Sequence, residues 1–151
     1  MAAHTAAGTR ISIGGTGDLE TEANWEEIAE VVNIPAFGRA YTEVTHTPLG
    51  NRAVQKFKGS FDDGTIDIEM AQDLTDPGQA ALWDALDDDT PYNFRITLND
   101  APEGGSPTTY TFKARVMSYQ SEPGSVDSVV SATAQLGILS GTIEMEAATA
   151  P

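Results

Sequence analysis

Apolar and polar residues alternate along most of this chain, the pattern of strands with one face buried and the other in water. In Thr65-Ile66-Asp67-Ile68-Glu69-Met70, the side chains of Ile66, Ile68 and Met70 fall on one face and Asp67 and Glu69 on the other. Tyr92, Phe94, Ile96 and Leu98 repeat the alternation, as do Tyr110, Phe112, Ala114 and Val116. Val126, Val130, Ala132, Ala134 and Leu136 predict a further strand, and Leu139, Gly141, Ile143 and Met145 a last one. Arg10–Ile13, Trp25–Ile34 and Tyr41–His46 are less regular strand candidates.

One segment follows a different period. Between Asp76 and Leu86 the spacing predicts a helix: Asp76 suits the N-cap, and Pro77 suits the first helical position, where its missing N–H costs nothing. Leu82 and Leu86 stand one turn apart with Trp83 beside them, giving a single apolar stripe. The fold expected is mainly β, a sandwich or barrel with one flanking helix, in a single domain over residues 1–151. Residues 99–107 read as an exposed hairpin loop. Residues 36–60 read as a connection long enough to serve an interface. Residues 1–8 and 147–151 read as flexible arms. Trp25 and Trp83 read as core anchors.

Length agrees with one domain: 151 residues suffice for a real core. Cysteine is absent, so no disulfide or thiolate chemistry is expected. No apolar run approaches the ~20 residues that a membrane helix needs, and the start lacks the basic and apolar regions of a secretory signal. No membrane partner is expected.

Charge changes the picture more. Eight basic residues stand against 23 acidic ones, a net charge of −15, which argues against gripping nucleic acid by charge neutralisation. A high-salt host would also favour such a surface. The charge is segregated: Gly59 to Phe94 holds ten acids and no base, whereas Arg39 to Lys58 holds four bases and one acid. Opposite patches on one subunit point to head-to-tail contacts between copies, or else to two solvated faces of a monomer. The interface candidates are Arg39, Arg52, Lys56 and Lys58 on the basic side and Asp62, Asp63, Asp87 and Asp88 on the acidic side.

Candidate chemistry is thin. Of the two histidines, His4 sits in an expected arm and His46 flanks a strand, and neither stands beside an activated Ser or Thr. The pairs and runs Asp62-Asp63 and Asp87-Asp88-Asp89 supply oxygen ligands but not the spacing of a calcium loop. Gly14-Gly15-Thr16-Gly17 lacks the lysine of a phosphate loop and reads as a turn. No catalytic residue, metal ligand or cofactor site is nominated, and no enzyme is expected.

The order of elements resembles a known family. Trp25-Glu26-Glu27-Ile28, a long loop, Gly64-Thr65-Ile66-Asp67-Ile68, the helix Asp76-Pro77-Gly78-Gln79-Ala80-Ala81-Leu82, then Pro91-Tyr92-Asn93-Phe94-Arg95-Ile96 and Thr109-Tyr110-Thr111-Phe112 together resemble the major tail tube proteins of long-tailed, siphovirus-like phages. The match runs from about residue 20 to 146. The resemblance implies a small β-sandwich with one helix, hexameric rings whose inner strands close into one continuous β-barrel, and rings stacked into a tube. It implies that Phe37 to Lys58 reaches onto adjacent subunits. The expected partners are copies of the chain, a tape measure protein, and tail terminator or tip proteins, with genome DNA passing through unbound. The expected location is a virion tail, non-contractile, assembled in the host cytoplasm. Asp67, Glu69, Glu144 and Glu146 are candidates to line the lumen, where like charge keeps DNA from adhering. Two rivals remain: a secretion-system tube protein of the same fold, and a monomeric β-sandwich module binding calcium or sugar.

Overall fold

The computed structural model describes residues 5–150. His4 and the other residues before Thr5 lie outside them, as does Pro151. Ten strands and one helix follow in order: β1 (Arg10–Ile13), β2 (Glu26–Glu27), β3 (Val31–Asn33), β4 (Ala40–His46), β5 (Gln55–Asp62), β6 (Thr65–Ala71), α1 (Pro77–Ala85), β7 (Tyr92–Thr97), β8 (Thr109–Glu122), β9 (Ser131–Ile138) and β10 (Glu144–Glu146). Eight strands form one antiparallel sheet, in the order β2-β1-β7-β8-β9-β6-β3 with β10 beside β8, and the sheet curls into a half-barrel. β4 and β5 pair only with each other, as a separate two-stranded sheet.

The alternation does what it predicts where it is regular. Ile66, Ile68 and Met70 of β6 are buried, and Ala132, Ala134, Leu136 and Ile138 of the neighbouring β9 join them. Phe94 stacks on Phe112 across the β7–β8 pair at 5.8 Å. On the same inner side α1 contributes Leu82 and Ala85, both fully buried. Burying a leucine stabilises the fold by roughly 1.5–3 kcal/mol, and this single stripe holds the helix to the sheet.

β8, at 14 residues, is the spine of the sheet. Ala114 faces Tyr92 of β7 on one side and Ile138 of β9 on the other. Below Ala114 the strand lies between β7 and β10; above it, β9 continues alone. A bulge between Val116 and Ser118 shifts the register, turning Tyr119 inward and leaving Met117 exposed.

α1 begins as its sequence indicates. The Asp76 carboxylate caps it by accepting from Gln79 N at 3.1 Å, and also accepts from Ala29 N at 3.0 Å. Gln79 is fully buried with every polar atom engaged. Its Nε2 donates to Ala29 O (2.8 Å) and Ala71 O (2.9 Å), while its Oε1 accepts from Asp73 N (2.8 Å). One side chain thus ties the helix, the β2–β3 link and the end of β6 together.

Several expectations need correction. The stretch 36–60 is chiefly the β4–β5 hairpin, because Tyr41–His46 finds a partner strand in Gln55–Phe61. Val126 and Val130 stand in the turn before β9, the former fully exposed and the latter partly so, and the last strand shrinks to Glu144–Glu146. Trp83 is 49 % exposed on the outer side of α1, held edge-on by Tyr119 at 5.5 Å. Trp25 is half-buried under the Arg95 guanidinium, 4.7 Å from its ring centre. Residues 147–150 are not a free arm. Ser106 and Thr149 exchange backbone hydrogen bonds of 2.9 and 3.0 Å, and Ala148 N donates to Thr108 Oγ1.

Candidate assembly surface

The β4–β5 hairpin is exposed along nearly its whole length. Antiparallel pairing fixes its two faces, since directly opposed residues point the same way. Val44 faces Phe57 and Tyr41 faces Phe61, so these side chains share one face, and all are 41–54 % exposed. Glu43 faces Lys58 and Thr45 faces Lys56 on the other face, with Lys56 Nζ 3.7 Å from the Glu43 carboxylate. An ion pair so exposed is worth about 0–1 kcal/mol, so it leaves Lys56 free to exchange partners, whereas the Lys58 ammonium lies 4.9 Å over the Tyr41 ring. Arg52 sits exposed in the connecting turn. By register the hairpin is therefore an amphipathic ribbon, with Val44 and Phe57 on one side and Lys56 on the other, and among the described residues no further strand pairs with it.

At its base the hairpin is fixed to the sheet. Arg39 Nε donates to Asp63 Oδ1 at 2.8 Å, Gly141 N donates to Asp63 Oδ2 at 2.8 Å, and the Arg39 guanidinium lies 4.4 Å over the Phe61 ring. Asp63 is 1 % exposed. The Arg39 hydrogen bond holds its carboxyl below the ordinary carboxylate range, with Gly141 N–H helping and burial opposing. Asp62 accepts from Gly64 N at 2.8 Å and from Ser140 Oγ at 3.3 Å. Arg39 and Asp63, nominated from sequence as charges for opposite sides of a contact between copies, meet inside one subunit and set the pose of the hairpin.

The remaining nominees are dispersed. Asp87 is exposed just beyond α1, while Asp88 accepts from Thr90 N (2.9 Å) and Tyr92 Oη (2.8 Å), which lowers its pKa. Asp67 and Glu69 stand on the polar face of β6, opposite Gln135 and Thr133. Glu144 and Glu146 stand on β10 opposite Thr111 and Thr109, whose side chains leave the same polar face of β8. The four lumen candidates therefore share the side of the sheet that faces away from the core.

His46 is exposed at the end of β4, and among the described residues no group of three or more acidic or histidine side chains is placed to hold a metal ion. An apolar groove of about 470 Å³ lies between β3 and the end of β7, lined by Val31, Ile34, Phe37, Ile96 and Leu98. Its one carboxylate, Asp100, is taken up by Thr108 N and Oγ1 at 2.8 and 2.6 Å. The Gly14–Gly17 segment is a turn over the polar face of the sheet. It is held by the Glu22 carboxylate, which accepts from Gly15 N and from Asn93 Nδ2, and by Lys113 Nζ donating to Gly17 O at 2.6 Å. Sequence reasoning missed both Gln79 and the Asn93–Lys113–Glu22 cluster. The only signal for either is a polar residue inside an otherwise apolar element.

No family model and no curated protein matches the sequence. Solved structures do match in fold. The chain superposes with a TM-score of 0.73 on a subunit from an extracellular contractile injection system, its sheath/tube terminator in the extended state, at 14 % identity over 97 % of this chain and 99 % of that one. A chain of the anti-feeding prophage baseplate gives 0.70 at 17 % identity, covering 97 % of each. The SPP1 tail tube subunit gives 0.65 at 15 % identity, covering 92 % of this chain and 77 % of that one. At such identities the likeness is one of fold: the chain has the architecture of tail-tube and injection-tube subunits.

Proposed function

We propose that this protein is a structural subunit that polymerises, as stacked hexameric rings, into the tail tube of a long-tailed virus, a conduit for genome DNA. Its role is assembly and carries no chemical step. The observation that bears the reading is the β4–β5 hairpin. A subunit left alone exposes Val44, Phe57 and Phe61 on a ribbon with unpaired edges, which invites aggregation. A neighbouring copy that covers them turns the same feature into a specific contact, and a contact of one part of a subunit with a different part of the next builds rings or filaments. The fold shared with tube subunits across nearly the whole chain supports this reading.

The polar sheet face bearing Asp67, Glu69, Glu144 and Glu146 is the proposed lumen wall. A net charge of −15 per subunit repels polyphosphate, so DNA slides without binding. Proteins that close the tube ends and a tape-measure protein are the proposed partners, in a virion tail. The same architecture serves contractile machines, and we favour a non-contractile tail on the resemblance in sequence order.

Electron microscopy and size-exclusion chromatography of the purified protein test the proposal. The expected result is hexamers or tubes at high concentration; a species of 16.0 kDa at every concentration overturns it. A map of the tube with a basic or apolar lumen rejects the placement of the four carboxylates.

A further inference from the structure

Four of the eight basic residues, Arg10, Arg95, Lys113 and Arg115, stand on β1, β7 and β8 and face away from the core. Three of them have partners. Lys113 Nζ donates to Asn93 Oδ1 at 2.9 Å, Arg115 Nε donates to Asp89 O at 2.7 Å, and Arg10 Nε lies 3.8 Å from Glu27 Oε1. Arg95 has no hydrogen bond or ion pair among the described residues. Its guanidinium lies 4.7 Å from the centre of the Trp25 ring, and its Nε is buried without an acceptor. Register fixes what surrounds it. Ser12 of β1 stands directly opposite Arg95, and opposed side chains leave the same face of a sheet. Ser12 is 8 % exposed, and its hydroxyl also makes no hydrogen bond among the described residues. Arg10, two residues earlier on β1, leaves that face too. Burial, and after it the positive charge of Arg10, lower the Arg95 pKa. Holding two like charges together with one of them desolvated is unfavourable, and a negative charge placed between them reverses the sign.

We infer that Arg95, Ser12 and Arg10 form a binding site for one phosphate-type oxyanion. The Arg95 guanidinium, stacked on Trp25, has little rotamer freedom left to lose, and its planar fork of donors suits two oxygens of a phosphate. The Ser12 hydroxyl supplies a third hydrogen bond from the opposite strand. Arg10 adds charge from the open side, giving up an exposed contact with Glu27 that contributes little. The carboxylates of this face stand at the ends of the row and not within it. Ser12 has Glu27 of β2 on its far side, and Arg95 has Thr111 of β8, which in turn faces Glu144 of β10. Glu144 is therefore two strand spacings, about 9–10 Å, from Arg95. The ligand is inorganic phosphate or one phosphodiester of a nucleic acid, since both present the oxyanion that these side chains recognise. The site lies within a single subunit, so it stands or falls independently of the tube reading.

Trp25 is a reporter built into the site. The chain has 2 tryptophans, so a Trp83→Phe background isolates its emission. That emission should change saturably as inorganic phosphate is added at constant ionic strength, and chloride at the same ionic strength should leave it unchanged. Ser12→Ala should weaken binding by about tenfold, the worth of one hydrogen bond to a charged group. Arg95→Lys keeps the charge but loses the fork, and should weaken binding as well. Both variants should unfold cooperatively without phosphate, and phosphate should raise the thermal midpoint of the parent more than theirs. A short DNA duplex at the same phosphate concentration separates the two sources, and whichever of the two ligands gives the response is assigned to the site. No saturable response to either ligand overturns the site. A response that both variants retain in full overturns it equally, because it would then arise from general positive charge elsewhere on the sheet.

Discussion

Gly78 is where a single hydrogen atom decides the packing of α1. A Cβ there would come within 2.2 Å of Glu27 O and 2.7 Å of Ile28 Cα, both backbone atoms with no freedom to swing aside. Gly→Ala in an unobstructed helix stabilises by about 1 kcal/mol, so the sign of the change reports the close approach. Gly78→Ala is expected to lower stability by about 2 kcal/mol or more, seen as a reduced midpoint in urea; a raised midpoint would show that helix and β2 do not touch. Asp63 makes a second residue-scale prediction. Its pKa is depressed in the folded chain, so its contribution is complete above the unfolded carboxylate value, about 3.9, and is lost as pH falls through the lower folded value. Asp63→Asn should flatten the stability profile in that acid window and weaken the protein at neutral pH, where the Arg39 charge loses its partner. If the variant keeps the acid slope of the parent, another carboxylate is responsible.

Elements were legible in the sequence to the extent that their cause is local. Ile66, Ile68 and Met70 announce β6 because side chains alternate across a strand, and Asp76-Pro77 announces α1 because capping chemistry is a matter of a few neighbouring residues. Tyr119 could not be read as buried, since the bulge after Val116 is a backbone event set by pairing with β9. The hairpin was visible only as Tyr41–His46, because Lys56-Phe57-Lys58-Gly59 alternates too briefly and finds its meaning in the strand opposite. Of the interface nominees, charge segregation placed Lys56 and Lys58 together on one strand, but it could not tell that Arg39 and Asp63 satisfy each other within the chain. That ribbon carries the prediction at this scale. Lys56→Glu with Lys58→Glu changes two exposed side chains and costs only the Lys58 contact over the Tyr41 ring, so the monomer should fold with a nearly unchanged midpoint while assembly fails. Tubes of parental length from this double variant, seen by electron microscopy, would remove the lysines from the contact.

At the scale of the whole molecule two electrostatic effects oppose each other. Bringing together copies that each carry −15 is unfavourable, and the repulsion acts over the full subunit surface. The lysine ribbon attracts, but only where it lies against carboxylates. Salt acts on them unequally. The Debye length falls from about 30 Å at 0.01 M to about 8 Å at 0.15 M, which removes repulsion between distant exposed charges first. In the proposed assembly, contacts made at a few ångströms beside exposed apolar groups such as Phe57 are screened much less, and apolar burial is not screened at all. Raising salt from about 0.01 M to about 0.15 M across this screening range should therefore promote polymerisation of the unmodified protein, followed by light scattering at fixed concentration. The Lys56→Glu, Lys58→Glu variant makes each copy more acidic and should recover little over the same range, because salt relieves repulsion without restoring the positive charge of the two lysines. The opposite order, polymers of the unmodified chain dissolving as salt rises, would mean that exposed ion pairs and not buried apolar contacts hold the copies together.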